Sequence, residues 1–184
     1  MRLQTPAAIA AAMLVMTATV QPAAAQQPAP TVARITLQEA RTALDSAEAE
    51  ARRNGWNLVF VISDAEGTPI YLRRMDGVPK RNYDVAMNKI STAITSGLHT
   101  AEYAAALRAG TIAPIEGALT FEGGLLLRRD GQVVGAFSAS GARGSEDAQA
   151  VRAGMASIGI EPTASPATSP PPSPAASPPG AADR

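Results

Sequence analysis

The chain has 184 residues, with 16 basic and 16 acidic side chains, no cysteine and a single histidine. That composition excludes disulfides, a lipid-modified cysteine, iron–sulfur ligation and covalent C-x-x-C-H haem attachment. It also excludes a histidine-rich metal site within one chain. With no basic tract and 4% aromatic residues, nucleic-acid binding has no electrostatic footprint.

Residues 1–25 have the three parts of a secretory signal peptide. Arg2 is basic, Ala7 to Val20 is apolar, and Ala23-Ala24-Ala25 gives an A-x-A step before Gln26. The apolar run is short for a membrane span, and no later segment is long or apolar enough to cross a bilayer. Cleavage after Ala25 and a periplasmic or secreted destination are expected; an uncleaved anchor is the alternative. Residues 26–34 form a linker. From Pro162 to Arg184 the chain is almost entirely Pro, Ala, Ser, Thr and Gly, which cannot bury enough apolar surface to offset ordering entropy. A disordered tail or spacer is expected there, and one folded domain over 35–161.

Within that domain Thr36-Leu37-Gln38-Glu39 is a capping box, with a Thr N-cap and Glu three residues on. Leu37, Ala40, Leu44, Ala47 and Ala51 then recur at helical spacing, and Asn54-Gly55 ends the helix. Asn57 to Ser63 (NLVFVIS) is a near-continuous apolar run, the mark of a buried strand. Asp64-Ala65-Glu66-Gly67 is turn chemistry and lacks the spaced oxygen ligands of a calcium loop. Pro69 to Met75 returns as a second strand, giving a hairpin.

Asn82 is placed to cap a second helix with Asp84 in its first turn; Tyr83, Ala86, Met87, Ile90, Ala93, Ile94 and Gly97 make its apolar face. Thr100 is placed to cap a third helix from Ala101 to about Arg108, and 110–117 reads as a loop. Leu119 to Phe121 offers the start of a strand. Gly124 to Arg128 and Gln132 to Ala139 flank Arg129-Asp130-Gly131, a hairpin signal. Ser145 is placed to cap a last helix, with Glu146 and Asp147 in its first turn and Gly159 just past its end. Strands joined by tight turns pair antiparallel, so the class is α+β: a sheet of about five strands flanked by helices.

The stretch Gly131 to Asp147 (GQVVGAFSASGARGSED) mimics several catalytic motifs and satisfies none. It has no P-loop lysine, no crossover-linked dinucleotide fingerprint, and no G-x-S-x-G elbow. Gly135 instead permits close approach of another backbone, and the helix start after it offers N–H groups to an anion. There is no nucleophile–base pair or metal cluster, so a non-enzyme is expected.

Four segments together resemble the GlcG/HbpS family of small haem-binding-like proteins, whose module also forms the C-terminal domain of PduO-type proteins. They are LQEARTALDSAEAEARRNGW (37–56), ISDAEGTPIYLRRMDG (62–77), AMNKISTA (86–93) and RDGQVVGAFSASGARGSEDAQAVRAG (129–154). Three positions depart from the family's usual pattern: Ile90 after the helix lysine, the Gly123-Gly124-Leu125-Leu126-Leu127 strand, and Ser138-Ala139-Ser140-Gly141. The resemblance implies a profilin-like outline, stable homo-oligomers that are often octamers, and haem held non-covalently at or near a subunit interface. Judged from the residues themselves, the cofactor-binding candidates are His99, the only imidazole and so the candidate metal ligand, and the adjacent Thr100, which resembles a ligand-side threonine of haem-binding relatives. Tyr83, Tyr71 and Met75 are further iron-side candidates, and Arg74, Arg73 and Lys89 are candidate propionate partners. The alternative is a non-haem binding or sensing module without catalysis, its carboxylate ligand held by Arg74, Lys89 and the Ser145 helix start.

Overall fold

A computed structural model describes residues 34–163. The expected signal peptide, nearly all of the linker and the tail beyond residue 163 lie outside those residues. Eight elements follow one another: α1 (Leu37–Arg53), β1 (Val59–Ser63), β2 (Pro69–Arg74), α2 (Lys80–Ser96), α3 (Thr100–Arg108), β3 (Gly124–Arg129), β4 (Gln132–Ser140) and α4 (Gly144–Ser157).

The strands form one antiparallel sheet in the order β2-β1-β4-β3. Both hairpins supply neighbours, and β4 returns to pair with β1, so the two hairpins join at their inner strands. Phe60, Ile62, Phe137 and Gly135 face α1 and α4. Val61 and Ser138 face α2, where the Ser138 hydroxyl donates to the Ala86 carbonyl at 2.8 Å. The sheet is thus covered on both sides, and every residue of β1 is buried. This explains why β1 reads as a continuous apolar run rather than an alternating one. Phe60 and Phe137 meet with ring centroids 6.3 Å apart in the α1/α4 layer.

Two glycines set how closely the layers approach. A Cβ on Gly135 would lie 2.2 Å from the Ser63 carbonyl oxygen of the neighbouring strand, and one on Gly154 would lie 2.4 Å from the Ala43 carbonyl oxygen of α1. The β3–β4 turn has positive φ at both central residues, Asp130 (50°) and Gly131 (77°), the primed geometry that matches strand twist. In the β1–β2 turn the Asp64 carboxylate accepts from the N–H groups of Glu66 and Thr68, so it serves the turn itself.

Several boundaries differ from expectation. The described sheet has four strands rather than five: residues 119–121 are irregular, and the Leu119 N–H donates to the Thr92 hydroxyl on α2 instead of a ladder. Asn82, Thr100 and Ser145 lie inside their helices, whose N-caps are Pro79, His99 and Arg143. For α3 and α4 a glutamate three residues on closes the helix start. Glu102 accepts from the His99 N–H at 2.9 Å, and Glu146 accepts from the Arg143 N–H at 3.0 Å. α1 starts as read, with Thr36 and Glu39 bonded reciprocally.

Glu39 also pairs with Arg129 of β3. The Thr36 N–H bond holds its carboxyl below the usual glutamate range. Partial burial opposes that, and Arg129 and the Thr36 hydroxyl reinforce it. A depressed folded value means stabilisation that is complete above the unfolded value, about 4.3, and lost as pH falls through the folded one. Denaturant midpoints measured at neutral and acid pH should therefore lie closer together in Glu39→Gln than in the parent; an equal gap would show that Glu39 has no such role.

Candidate functional site

Two concavities adjoin the segment that runs from α3 into β3. The larger, about 420 Å³, lies between α2, the end of β4 and the start of α4. On its floor Lys89, 1% exposed, donates to Asp147 at 2.8 Å and to the Ala139 carbonyl at 2.8 Å. Burial pulls the Lys89 ammonium below the usual lysine range, against the opposing pull of Asp147 and Glu122. Burial likewise pushes the Asp147 carboxyl up, against the charge and hydrogen bond of Lys89. The second Asp147 oxygen accepts from the Ala142 N–H at 3.1 Å, which fixes the β4–α4 turn. Gly123 is required above this pair, because a Cβ there would sit 2.6 Å from the Asp147 Cβ and 2.8 Å from Lys89 Nζ. Asp147 is therefore a buried ion partner rather than only a first-turn acid, and Lys89 already gives two of its three N–H donors to the protein.

The smaller concavity, about 230 Å³, is a groove lined by His99, Thr100, Leu125, Ala148, Arg152 and Pro162, among others. The Thr100 hydroxyl accepts from the Gly124 N–H at 3.1 Å and donates to the Gly124 carbonyl at 3.3 Å, pinning α3 to the start of β3. Gly124 allows this contact, since a Cβ there would lie 2.8 Å from Thr100 Cγ2. His99 Nδ1 accepts from the Leu126 N–H at 2.9 Å, while Nε2 lies 2.9 Å from the Thr163 carbonyl oxygen. An acceptor at Nδ1 and a carbonyl at Nε2 require the proton on Nε2. Iron at Nε2 would have to displace both that proton and Thr163, and a proton moved to Nδ1 would confront the Leu126 N–H. As folded, His99 does not present a free nitrogen to a metal.

The other expected site residues lie apart from these concavities. Met75 is buried in the core, where its sulfur accepts from the Leu58 N–H at 3.3 Å. Met87 also packs against the core. Arg73 reaches Asp45 and Glu48 of α1 and the Tyr71 hydroxyl, so it braces β2 against α1. Arg74 is exposed on edge strand β2, and Tyr83 is 36% exposed on α2. The structure thus joins His99 with Thr100, places Lys89 in a second cavity, and brings neither together with Arg74, Tyr83 or Met75. Sequence reading missed Arg152. Its signal is its spacing from Ala148, four residues earlier on the inward side of α4. Among the described residues no group of three His, Cys, Asp or Glu side chains could hold a metal, and no helix is long and apolar enough to cross a membrane.

Comparison with known proteins gives this geometry a context. A crystal structure of PduOC in complex with heme superposes with a TM-score of 0.64, covering 71% of this chain and 99% of that one at 23% identity, a likeness of fold. A double mutant of HbpS from Streptomyces reticuli superposes with a TM-score of 0.63 at 31% identity, covering 74% of this chain and 96% of that one. An uncharacterized 15.0 kDa protein of Citrobacter freundii, from the dhaT-dhaS intergenic region, is 29% identical over 122 residues, 63% of this chain and 86% of the relative. The family model described as "Haem degrading protein HbpS-like" matches residues 35–156. These residues span the domain from the first helix cap through nearly all of α4, and the chain belongs to the HbpS-like family.

Proposed function

We propose that this chain is an exported small-molecule-binding protein that takes haem non-covalently, in the groove beside His99 and Thr100, at or near a contact between copies of itself. The observation that carries the reading is the groove: an open, partly apolar concavity edged by a cationic side chain, in a fold shared with a protein crystallised with heme. At about 230 Å³ it is smaller than the roughly 300–1,000 Å³ that encloses a drug-sized ligand. A tetrapyrrole would overhang one chain, which favours completion of the site by a second copy. Arg152, exposed and outside every described ion pair, is the propionate partner in this reading. His99 supplies shape and backbone order, since both ring nitrogens are engaged. The reading assigns no catalytic step.

Hemin added to full-length protein is expected to give a saturable, sharpened Soret band. Arg152→Ala should weaken binding about tenfold, the scale of one charge-assisted hydrogen bond. The band position should persist in His99→Ala. No spectral change at stoichiometric hemin would overturn the haem reading, and a shifted band in His99→Ala would restore His99 as the axial ligand. Light scattering tests the assembly separately, since a strictly monomeric chain would contradict completion of the groove by a second copy.

A further inference from the structure

We infer that the larger cavity, over the Lys89–Asp147 pair, is a second ligand site, built for a small monocarboxylate that also carries a hydroxyl or ammonium group. It is separate from the His99 groove: of the residues lining the two, only Glu122 is shared. Its volume of about 420 Å³ lies within the roughly 300–1,000 Å³ range of small-molecule pockets.

The donors gather on one side. The cavity is lined by Gly144 and Ser145, the first two residues of α4, a helix of 14 residues. First-turn N–H groups have no partner within a helix and sit at the positive end of its dipole. A helix start alone would not make a site. The independent observation is Ser140, at the end of β4. It is 5% exposed, it lines the cavity, and its hydroxyl makes no hydrogen bond to any described residue. Ser140 follows Ser138 by two positions on the strand, so it points to the same face, toward α2, where this cavity lies. Its hydroxyl opens on the cavity, where a ligand can supply the partner that the described protein does not. Lys89 adds to the set: its ammonium carries three N–H donors, and two are engaged by Asp147 and the Ala139 carbonyl.

Charge selects the ligand. Lys89 and Asp147 compensate one another, so the helix start and Ser140 favour a single negative charge, whereas a dianion would also face the carboxylates of Asp147 and Glu122. Glu122 stands exposed beside that helix start and accepts hydrogen bonds only, which suits a hydroxyl or ammonium group next to the carboxylate of the same ligand. The 120–122 segment is held against the helix start because Gly144 has no side chain; a Cβ there would lie 3.1 Å from the Glu122 backbone nitrogen. Val85 and the exposed Phe121 leave room for a short carbon skeleton.

Calorimetric titration of full-length protein with serine, lactate, propionate and inorganic phosphate tests the inference without reference to haem. Serine or lactate is expected to bind saturably, one per chain, and more tightly than propionate or phosphate. Ser140→Ala should weaken that binding about tenfold, and Ser145→Ala less, while both variants keep the parent circular dichroism and the parent hemin response. If Ser140→Ala does not fold, Ser145→Ala together with Glu122→Gln takes its place, the second weakening serine more than propionate. Absence of heat with serine and lactate, phosphate as the tightest binder, or unchanged affinity in the folded Ser140 variant would each overturn the site. Loss of the hemin response alone would leave it standing and count against the groove beside His99.

Discussion

Lys89→Met is expected to destabilise the domain by about 3–5 kcal/mol, the scale of breaking a buried ion pair from one side. The methionine side chain fills similar space, so lost packing is not the main cause. The loss comes from Asp147, which is 2% exposed and would keep its carboxylate beside Gly123 with only the Ala142 N–H to satisfy it. A marginal total of about 5–15 kcal/mol makes such a loss visible as a large fall in the urea midpoint. Asp147→Leu alone should cost a similar amount, because it strands the ammonium. The double variant Lys89→Met with Asp147→Leu should recover much of the loss, since a buried pair can often be exchanged for apolar groups at little net cost. Single variants with near-parent midpoints would show that the pair is hydrated and not the buried ion pair between α2 and α4 described above.

A second large effect is expected at Gly135. Gly135→Ala should cost about 1–3 kcal/mol, the usual range for forcing extra volume into a packed interior. The upper end applies, because the obstacle is the backbone carbonyl of Ser63 at 2.2 Å rather than a side chain that can swing away. Strands β1 and β4 would have to part in the centre of the sheet, where they are covered on both faces. The thermal midpoint should fall by several degrees, on the scaling of roughly 4–8 °C per kcal/mol for domains of 60–100 residues and less for larger ones. Gly131→Asn serves as a contrast. A Cβ at Gly131 has nothing within 4 Å, and asparagine tolerates positive φ, so its cost should be small. Equal losses at the two positions would refute the close approach of β1 and β4.

Most of the scaffold is legible because it follows local rules. The Thr36–Glu39 box, the Asp130-Gly131 turn and the left-handed glycine at 159 each carry their own short-range signal, whereas Gly97, read as part of the α2 apolar face, is the left-handed C-cap of that helix. The close strand contact at Gly135 was readable as well, from a glycine inside an apolar strand. Three helix starts were displaced because their caps, Pro79, His99 and Arg143, lack the short polar side chain that marks an N-cap; in two of them a glutamate does the work from inside the helix. Residues 119–121 have strand-like composition, but Thr92 captures the Leu119 N–H, a preference decided by tertiary contact. The site was harder to read. Lys89 and Asp147 are 58 positions apart, and Arg73 finds Glu48 25 positions away, so no local pattern announces either pairing. His99 was chosen for its chemistry as the sole imidazole, whereas its ring turns out to complete the backbone hydrogen bonding of β3 and of Thr163.

The bond between His99 Nε2 and the Thr163 carbonyl makes the exit point of the domain and the mouth of the groove one place. Anything that pulls Thr163 away unmasks an imidazole nitrogen, and anything that claims that nitrogen releases Thr163. By thermodynamic reciprocity, a protein gripping the chain beyond that residue and a guest seated against the ring would each sense the other's presence, without any rearrangement of the sheet between them.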